Sequence, residues 1–590
     1  GSILGRVVGK TTVAAIDNNY ASSESYYTAL GGSEGKMTGN SVRIRNVNLV
    51  GYEGFQWTEL DFEKYWAVVM DDTPVLQSFT DTIVDLDGVA KKIDKTWYQE
   101  GIKEFTLTTA AQLFGFAELS RTIDFKDVTI KLGADIVCNE GKASDWAKKE
   151  PINLWKPIGY NGEFGGKTFL GTFDGQGHTI SGLYAKSTKT MVGFFGETGQ
   201  GSIVKNLKIT NSYFEAEIKK SSSWGMVGSV AAKSWGTIDT VYSNAILVNS
   251  GTVTGGIVGM MRITGKNGGE CVIRNCWYDG KITANGSTGG ILGDVYASPA
   301  TVEHCLNTGS ISTIKASGNI GGLVGIVELQ DAKLTLTDCL NVGKIKDASN
   351  KSWNVGSAIG RVVKTEKVTN IVATIKNVYV SKESSGNALG NKTGNFKGTD
   401  IVRLAEKDLI GTNGYFFTGL QFASGGKGYW VAQSKKTPVL KSFAPSRALS
   451  VGGIRVDISW YNKDKDVYTI KNVNQLYGLR QISETTDFKG KTIKLAKDIV
   501  VNSGDASTWG SKAPRYNWRP IGYNEEFGGK TFLGTFDGQG HTISGLYMKD
   551  SLWRVGLFGG LEEGGVIKNV KVTNSYLEGA YHVGSIAGFM

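Results

Sequence analysis

Short stretches in which apolar and polar residues alternate run through most of this chain, and glycine, asparagine or serine interrupts them. Alternation with a period of two predicts β-strands, and the interruptions predict the turns between them. Glycine occurs 80 times, as tight turns and close backbone approaches would require. Proline occurs only 8 times, which suits a chain whose backbone N–H groups are used in strand pairing. The pattern predicts an all-β protein.

The predicted strands recur in a cycle. One strand of each cycle has an apolar–x–Asn–apolar core, a second strand follows it, and a glycine-flanked apolar strand such as TGGIVG or TGGILG closes the cycle. The first strand is centred on Asn206, Asn275, Asn377 and Asn569, with variants at His304, Asp338 and Thr240. Neighbouring cycles are 29 (275 to 304) to 39 (338 to 377) residues apart. About three strands per cycle predict a right-handed parallel β-helix, a solenoid whose coils stack roughly 4.8 Å apart.

A much longer repeat is superimposed on this cycle. Residues 157–184 recur at residues 520–547, 363 positions later, with a single difference between Gly162 and Glu525. The first residues, GSILGRVV, resemble residues 356–363, and TPVLQSF at 73–79 matches TPVLKSF at 437–443. We therefore predict the C-terminal coils of one unit in 1–79, a complete unit in 104–443, and the cap and first coils of a third in 468–590. Residues 80–103 and 444–467 would be connectors within a window of a tandem array or a permuted subunit.

An open end of a β-helix is an unpaired edge and has to be covered. Residues 108–119 (TTAAQLFGFAEL) and 471–482 (KNVNQLYGLRQI) have helical spacing of their apolar positions, and each precedes a predicted strand. We expect each to form a short amphipathic helix that caps the first coil of its unit. The connectors contain Trp97 and Trp460, so we expect them to pack against the units.

Residues 169–183 and 532–546 both read FLGTFDGQGHTISGL, and VGFFG or VGLFG follows them. With the capping helix, the KTIKL strand, the Trp-containing loop and the GGIVG-type strands, this pattern resembles the GLUG-motif β-helix domains of bacterial surface and secreted proteins. The resemblance covers nearly the whole chain. It implies a parallel β-helix and an extracellular or cell-surface location, often with an adhesive or host-facing role. It does not imply a reaction, since β-helices carry many unrelated functions.

Composition adds modest constraints. The net charge of +10, from 65 basic and 55 acidic residues, permits contact with anionic glycans, but no dense basic block predicts a nucleic-acid partner. Cys276, Cys305 and Cys339 follow the asparagine position in three successive cycles, so they should stack as buried small residues. A disulfide between adjacent coils is the alternative, although parallel Cβ vectors disfavour its geometry. Five cysteines without a CxxC pair predict no metal site and no cofactor.

Candidate catalytic groups are sparse. Asp174 and His178, repeated as Asp537 and His541, could form an acid–base pair, but their FDGQGHTI context predicts a turn. The isolated carboxylates Asp239 and Asp338 do not form the convergent set that polysaccharide hydrolysis needs. Residues 462–466 (NKDKD) have alternating oxygen donors but lack the glycine and distal glutamate of a calcium loop. We predict no catalytic residue and no enzymatic activity.

Two aromatic loops precede the long repeat. Trp146, Trp155 and Tyr160 in the first recur as Trp509, Trp518 and Tyr523 in the second. If exposed, these rings would stack on sugars and form a glycan-binding site. The alternative is that they clamp the cap onto the first coils.

These features predict an extracellular structural or adhesive repeat protein that forms a rod, a surface fibre or an end-to-end filament. The predicted partners are neighbouring repeats or further copies of the chain, and glycans or host and cell-wall surfaces are possible ligands. The residues expected at the stacking ends are Gly1, Ile3, Val7, Val583, Ile586 and Phe589. The alternative function is a carbohydrate-active enzyme or a lectin-like module on the same scaffold. A converging carboxylate or Lys/Arg cluster in a groove would favour it.

Overall fold

A computed structural model describes residues 93–590 except 161–164, 189, 219–224, 263–270, 315–317, 329–330, 347–353, 364–370, 392–393, 399–400, 424–427, 445–448, 450–452, 455, 523–528 and 550–552. It also describes short pieces of the first 92 residues. The chain divides into two compact units, residues 1–406 and 407–590. Within the described ranges, no helix has both the length and the apolar character that a membrane span requires.

The first unit is built from parallel strands in three long sheets. The first sheet contains Glu104–Leu107, Thr129–Leu132, Ile136–Val137, Thr172–Asp174, Thr179–Ser181, Ile203–Thr210, Thr237–Ser243, Cys271–Arg274, Trp277–Tyr278, Pro299–Glu303, Leu306–Asn307, Lys333–Asn341, Val372–Ser381, Phe396–Lys397 and Ile401–Leu404. The second contains Tyr184–Ser187, Tyr213–Ala216, Ile246–Asn249, Lys281–Ala284, Ser310–Thr313 and Ile345–Lys346. The third contains Ile158–Gly159, Met191–Val192, Phe195–Thr198, Met226–Gly228, Ala231–Ser234, Val253–Gly255, Val258–Arg262, Ser287–Gly289, Leu292–Tyr296, Asn319–Gly321, Val324–Glu328, Asn354–Val362 and Asn387–Leu389.

The chain visits the three sheets in turn and then returns to the first one coil further along. The strand Ile203–Thr210, for example, pairs in parallel with Thr237–Ser243, which is the equivalent strand of the next coil. The apolar residues of the pattern stack in register: Phe173, Val204, Ile238, Ile273, Val302, Leu336 and Ile375 form one continuous column. Every side chain of this column is fully buried. The prediction of an all-β protein with the topology of a parallel solenoid is confirmed.

The recurrent asparagine marks a bend in the first strand of each cycle. Asn206, Asn275 and Asn377 have φ values of 54°, 56° and 52°, in the left-handed region that asparagine tolerates better than most residues. The side-chain amide of Asn206 donates to the Asp174 carboxylate of the preceding coil at 3.0 Å, and that of Asn377 donates in the same way to Asp338 at 3.0 Å. The series therefore stabilises contacts between coils.

Glycine is required where the third sheet turns a corner. A Cβ atom on Gly255, Gly289, Gly321 or Gly356 would lie 1.8 to 2.0 Å from the carbonyl oxygen three residues further on. The backbone folds back on itself too closely there for any side chain. The GGIVG-type strands are thus tight corners whose inner apolar residues enter the core.

Capping helices occur at both predicted positions, Ala110–Leu119 and Val473–Ile482. Thr109 caps the first, accepting from the Gln112 backbone N–H at 3.2 Å. Phe116 of this helix stacks on Phe173 of the core column, with ring centroids 6.0 Å apart. Trp97 packs edge-on against Phe116, with centroids 6.3 Å apart. In their described parts, the helix covers the first coil and the connector packs against the helix, as expected.

The second unit begins with segments that the repeat assigned to the end of the preceding unit. The antiparallel strands Trp430–Gln433 and Lys436–Leu440 repeat the pairing of Trp66–Ala67 with Val75–Leu76. The short helices Glu406–Leu409 and Asn413–Phe417 precede the hairpin. Phe416 packs on Tyr477 of the second capping helix, with ring centroids 4.6 Å apart. This contact explains why residues 407–443 form one compact unit with the cap that follows them.

The rest of the second unit repeats the first coils of the first unit. Its parallel strands are Val467–Ile470, Thr492–Leu495, Ile499–Val500, Thr535–Asp537, Thr542–Ser544, Tyr547–Lys549, Arg554–Val555, Phe558–Gly560, Val566–Lys568, Lys571–Thr573, Tyr576–Glu578, His582–Val583 and Ala587–Phe589. Short 3-10 turns occur at Ala143–Asp145, Lys441–Phe443 and Ala506–Thr508. Elsewhere, Ala14–Ala15 pairs with Met37–Thr38 and Asn19–Ser22 with Ser41–Ile44, all in parallel.

Candidate functional site

The four tryptophans predicted as sugar-stacking residues are buried. Trp146 and Trp509 are each 4% exposed, and Trp155 and Trp518 are each 1% exposed. The exposed ring faces that sugar stacking needs are therefore missing at these positions, and the structure supports the alternative in which the rings clamp the cap. The sequence could not distinguish sugar stacking from clamping, because an aromatic residue in a loop can be exposed or buried.

Trp155 shows how the clamp works. Its ring packs edge-on against Phe114 of the capping helix and stacks on Phe194 of the next coil, with both centroid distances at 5.4 Å. The indole N–H donates to the carbonyl oxygen of Gly193 at 3.2 Å, so the polar atom is satisfied inside the core. Trp518 of the second copy contacts Tyr477 of its own capping helix in the same way.

The two tyrosines of the predicted glycan site differ from the tryptophans. Tyr160 is 39% exposed. Tyr523 lies outside the described residues. Glycan binding at this loop therefore stays a prediction, and its described support is reduced to one exposed ring.

The FDGQGHTI turn holds its aspartate and histidine apart. Asp174 accepts from the Gln176 backbone N–H and the Asn206 amide, both at 3.0 Å. His178 instead contacts Asp135, with Nδ1 3.2 Å from the carboxylate. The Thr179 backbone N–H also donates to Asp135, and this bond is the main reason that the pKa of Asp135 is lowered. The second copy has the same contacts, so this motif shapes a turn in both.

The remaining candidates of the sequence have structural partners. Asp239 accepts from Arg274 and from the Asn275 amide, both at 2.8 Å. Asn462 closes a turn by accepting from the backbone N–H of Asp464 at 3.0 Å. Among the described residues, no cluster of three or more His, Cys, Asp or Glu side chains could hold a metal ion.

The cysteines are free thiols. Cys138, Cys271, Cys276, Cys305 and Cys339 are all buried and none forms a disulfide. Burial raises the pKa of Cys138 to about 12. It also raises the pKa of Cys276 and Cys305 well above the ordinary thiol value. The thiols of Cys276 and Cys305 therefore stay protonated at neutral pH, and the buried ladder contributes packing in the core.

The structure reveals an acid pair that the sequence did not predict. Asp294 and Glu328 lie on adjacent coils of the third sheet, where Tyr296 is the register partner of Glu328. Asp294 is on the face of its strand opposite to Val295, which belongs to the main core. It is only 1% exposed, whereas Glu328 is half-buried. Asp294 pairs with Ile326, two residues before Glu328, so the two carboxyl groups belong to neighbouring strands.

Arginines flank this acid pair along the solenoid axis. Arg262 is the register partner of Tyr296 on the preceding coil, and its guanidinium lies over the tyrosine ring at 4.7 Å. Arg361 is the register partner of Ile326 on the following coil. Burial and the neighbouring Glu328 raise the pKa of Asp294 well above its usual range, although the charge of Arg262 opposes this shift. Burial also raises the pKa of Glu328.

The chemistry of this pair follows from its burial. A buried carboxyl group beside a second one resists ionisation, because burial and like-charge repulsion both favour the protonated form. Asp294 is therefore a buried acid that keeps its proton to a higher pH than an ordinary carboxyl group. Only the register of residues 260–262, 294–296 and 326–328 on successive corners could have indicated it.

The coil formed by residues 566–589 is only partly covered. Val583 is 46% exposed and Phe589 is 41% exposed, while Ile586 is half-buried. Val227, the equivalent of Val583 by strand pairing, is fully buried because a further coil packs on it. The residues predicted at the opposite end, Gly1, Ile3 and Val7, lie outside the described residues.

Comparisons with known proteins give partial similarities. No protein-family model matches the chain. Halomucin from Haloquadratum walsbyi is 32% identical over 117 residues, which are 20% of this chain and 1% of Halomucin. A protein of Evansella cellulosilytica, provisionally described as a Gly-rich membrane protein, is 32% identical over 88 residues, or 15% of this chain and 9% of that protein. Among solved structures, a protein of Bacteroides ovatus, provisionally assigned as an immunoglobulin A1 protease, has a TM-score of 0.42 and 18% identity, covering 59% of this chain and 94% of that one. The chain thus spans a small part of the curated relatives it matches.

Proposed function

We propose that this chain is part of an extracellular structural or adhesive repeat protein, in which tandem right-handed β-helix units of the GLUG-motif type build a rod at a bacterial cell surface. The proposal is supported chiefly by the first unit, whose core residues stack in register over successive coils from Phe173 to Ile375. The second unit repeats the pairing of its first coils. Val583 and Ile586 in the coil 566–589 correspond to Val227 and Val230, which are fully buried under the next coil of the first unit.

We propose that a second copy of the chain stacks head to tail on this surface, in an open contact that propagates. Burying one Val or Ile side chain contributes about 1.5–3 kcal/mol. Val583 and Ile586 alone therefore give a coil-on-coil contact a strong apolar component. The relative described as a membrane protein is compatible with a location at the cell envelope.

The test compares self-association of the purified chain with that of the Val583→Lys and Ile586→Lys variants by sedimentation velocity. The chain should form larger species as its concentration rises, and both variants should remain smaller because a charge at a coil edge blocks pairing. Val500→Lys is the matched control, because Val500 is 56% exposed but pairs within its own coils. Equal association of all four proteins would contradict head-to-tail stacking.

A second candidate function is a carbohydrate-active enzyme, and the acid pair Asp294–Glu328 favours it. A buried carboxyl group with a raised pKa, beside a second carboxyl group and arginines, is a candidate acid for proton transfer to a polysaccharide. The test is release of unsaturated or reducing ends from a panel of polysaccharides, with Asp294→Asn and Glu328→Gln as variants. Activity that both variants lose would favour the enzyme. Activity that survives in both would place the reaction elsewhere or exclude this candidate.

A further inference from the structure

A cavity in the second unit lies between the segment 412–417 and the loop 515–519. Its volume is about 190 Å³. That is smaller than the roughly 300–1,000 Å³ of sites for drug-sized ligands. It is large enough for several water molecules and matches a ligand with one ring.

The two copies of the Trp loop differ where this cavity forms. The loop backbone is held identically in both copies by one asparagine. Asn139 bonds to the backbone of Asn153 through its N–H at 2.8 Å and its carbonyl at 2.8 Å. Asn502 bonds to the backbone of Tyr516 at 3.0 and 2.7 Å.

The side chains on this common backbone are unrelated. Residues 152–154 read Ile-Asn-Leu, and residues 515–517 read Arg-Tyr-Asn. The next conserved segment begins three positions later and has one difference in 28 positions (157–184 against 520–547). The divergence therefore falls on the side chains of Arg515, Tyr516 and Asn517, which line the cavity.

The described lining combines aromatic surface with positive charge. Phe416 and Tyr516 stack with ring centroids 6.0 Å apart and an interplanar angle of 20°. The guanidinium of Arg515 lies over the Tyr516 ring at 5.2 Å. Arg519 is held by two bonds to the Asp408 carboxylate, at 2.7 and 3.2 Å. Among the described residues that line the cavity, two are arginines and none is a carboxylate.

We propose that this cavity binds a single sugar ring that carries a carboxylate, such as a uronic acid residue of a glycan. Arg515 contacts the carboxylate with the planar fork of donors that suits this group. Asn517 and Asn413 supply amide groups for ring hydroxyls, and the aromatic side chains contact the apolar face of the ring. Arg519 positions the wall through Asp408 and does not supply the specific contact. The proposal rests on the cavity alone, so it holds whether or not the chain stacks into filaments.

The experiment is calorimetric titration of the full chain with methyl glucuronide and methyl galacturonide. Their neutral counterparts, methyl glucoside and methyl galactoside, differ only at the carboxylate. At least one uronide should bind about tenfold or more tightly than its neutral counterpart, the range expected for a charge-assisted hydrogen bond. Failure of both uronides to bind, or equal binding of the neutral sugars, would overturn the proposal.

The decisive variant transplants the first copy's loop, as Arg515→Ile, Tyr516→Asn and Asn517→Leu together. The same backbone carries these residues in the first copy, so the loop should fold, and circular dichroism checks this. We expect uronide binding to be lost in this variant, weakened in Arg515→Lys, and unchanged in Lys512→Ala, an exposed control outside the cavity. Binding that persists in the transplanted loop would place the sugar elsewhere and refute the site.

Discussion

Replacing Gly321 by alanine should open the solenoid locally at the corner of the third sheet. An added Cβ would lie 1.8 Å from the Val324 carbonyl oxygen and 2.8 Å from the Gly360 backbone nitrogen. Non-bonded atoms are comfortable at about 3.5 Å, so the backbone at Val324 would have to move by more than an ångström and the neighbouring coil at Gly360 by a smaller distance. Overpacking of this kind destabilises a close-packed core by about 3 kcal/mol. That free energy corresponds to roughly a hundredfold larger population of the opened state.

The buried thiols provide the assay. Cys305 and Cys339 are fully buried in the first sheet on the coils next to this corner. A thiol reagent reaches them only when the coils open, so the labelling rate reports the opened population. Alkylation read by mass spectrometry at each cysteine should show roughly a hundredfold faster labelling of both in Gly321→Ala. Cys138 should change little, because stability in a repeat structure is transmitted mainly between neighbouring coils.

Gly177→Ala is the matched control. Nothing lies within 4 Å of a Cβ at this position, but φ is +85°. The substitution therefore causes no steric clash and costs only about 1 kcal/mol, because alanine is less stable than glycine at a left-handed φ. Labelling of Cys305 and Cys339 should stay at the wild-type rate. If Gly321→Ala labels no faster than this control, the corner does not have the close backbone approach described above.

Three further predictions concern single side chains. Trp518→Ala should lower the free energy of unfolding of its unit by about 3–5 kcal/mol, because it empties a buried clamp; denaturant titration would show this, and an unchanged midpoint would mean that the ring does not hold the cap. Asn275→Ala should lower the free energy of unfolding by about 1–2 kcal/mol, because it loses the hydrogen bond to Asp239 and places alanine at a left-handed φ. Asn275→Gly should lower it less, because glycine loses the same bond but tolerates this φ. Equal losses in the two variants would show that the left-handed φ contributes nothing. Asp294→Asn should flatten the dependence of thermal stability on pH. Burial raises the pKa of Asp294 in the folded state above its value in the unfolded chain. The folded state therefore keeps a proton that the unfolded chain loses, and the stability of the wild type falls as pH rises above about 4. If the melting temperatures of variant and wild type change with pH in parallel, Asp294 titrates normally.

The fold was predictable because its determinants are local and repeated. The alternation of apolar residues, the recurrence of the asparagine strand and the helical spacing before each first coil all act within one cycle. The structure confirms the strands, the stacked cycles and the capping helices in the described residues. The repetition also reveals register, because equivalent residues must stack.

The sites were less predictable because they depend on relations between cycles. The burial of Trp155 is set by Phe114 and Phe194, which come from different parts of the chain, so composition of the loop alone left its exposure open. Asp294 and Glu328 meet only through the register of two corners. The cavity beside Arg515 requires the segment 412–417, which the long repeat assigned to a different unit.

The most direct test of the proposed rod is negative-stain electron microscopy of the purified chain across a range of concentrations. Stacking of coil on coil predicts uniform rods that lengthen into fibres as concentration rises, and it predicts only short particles for Val583→Lys. Short particles of constant size at every concentration, identical for the chain and the variant, would contradict self-assembly through the coil 566–589.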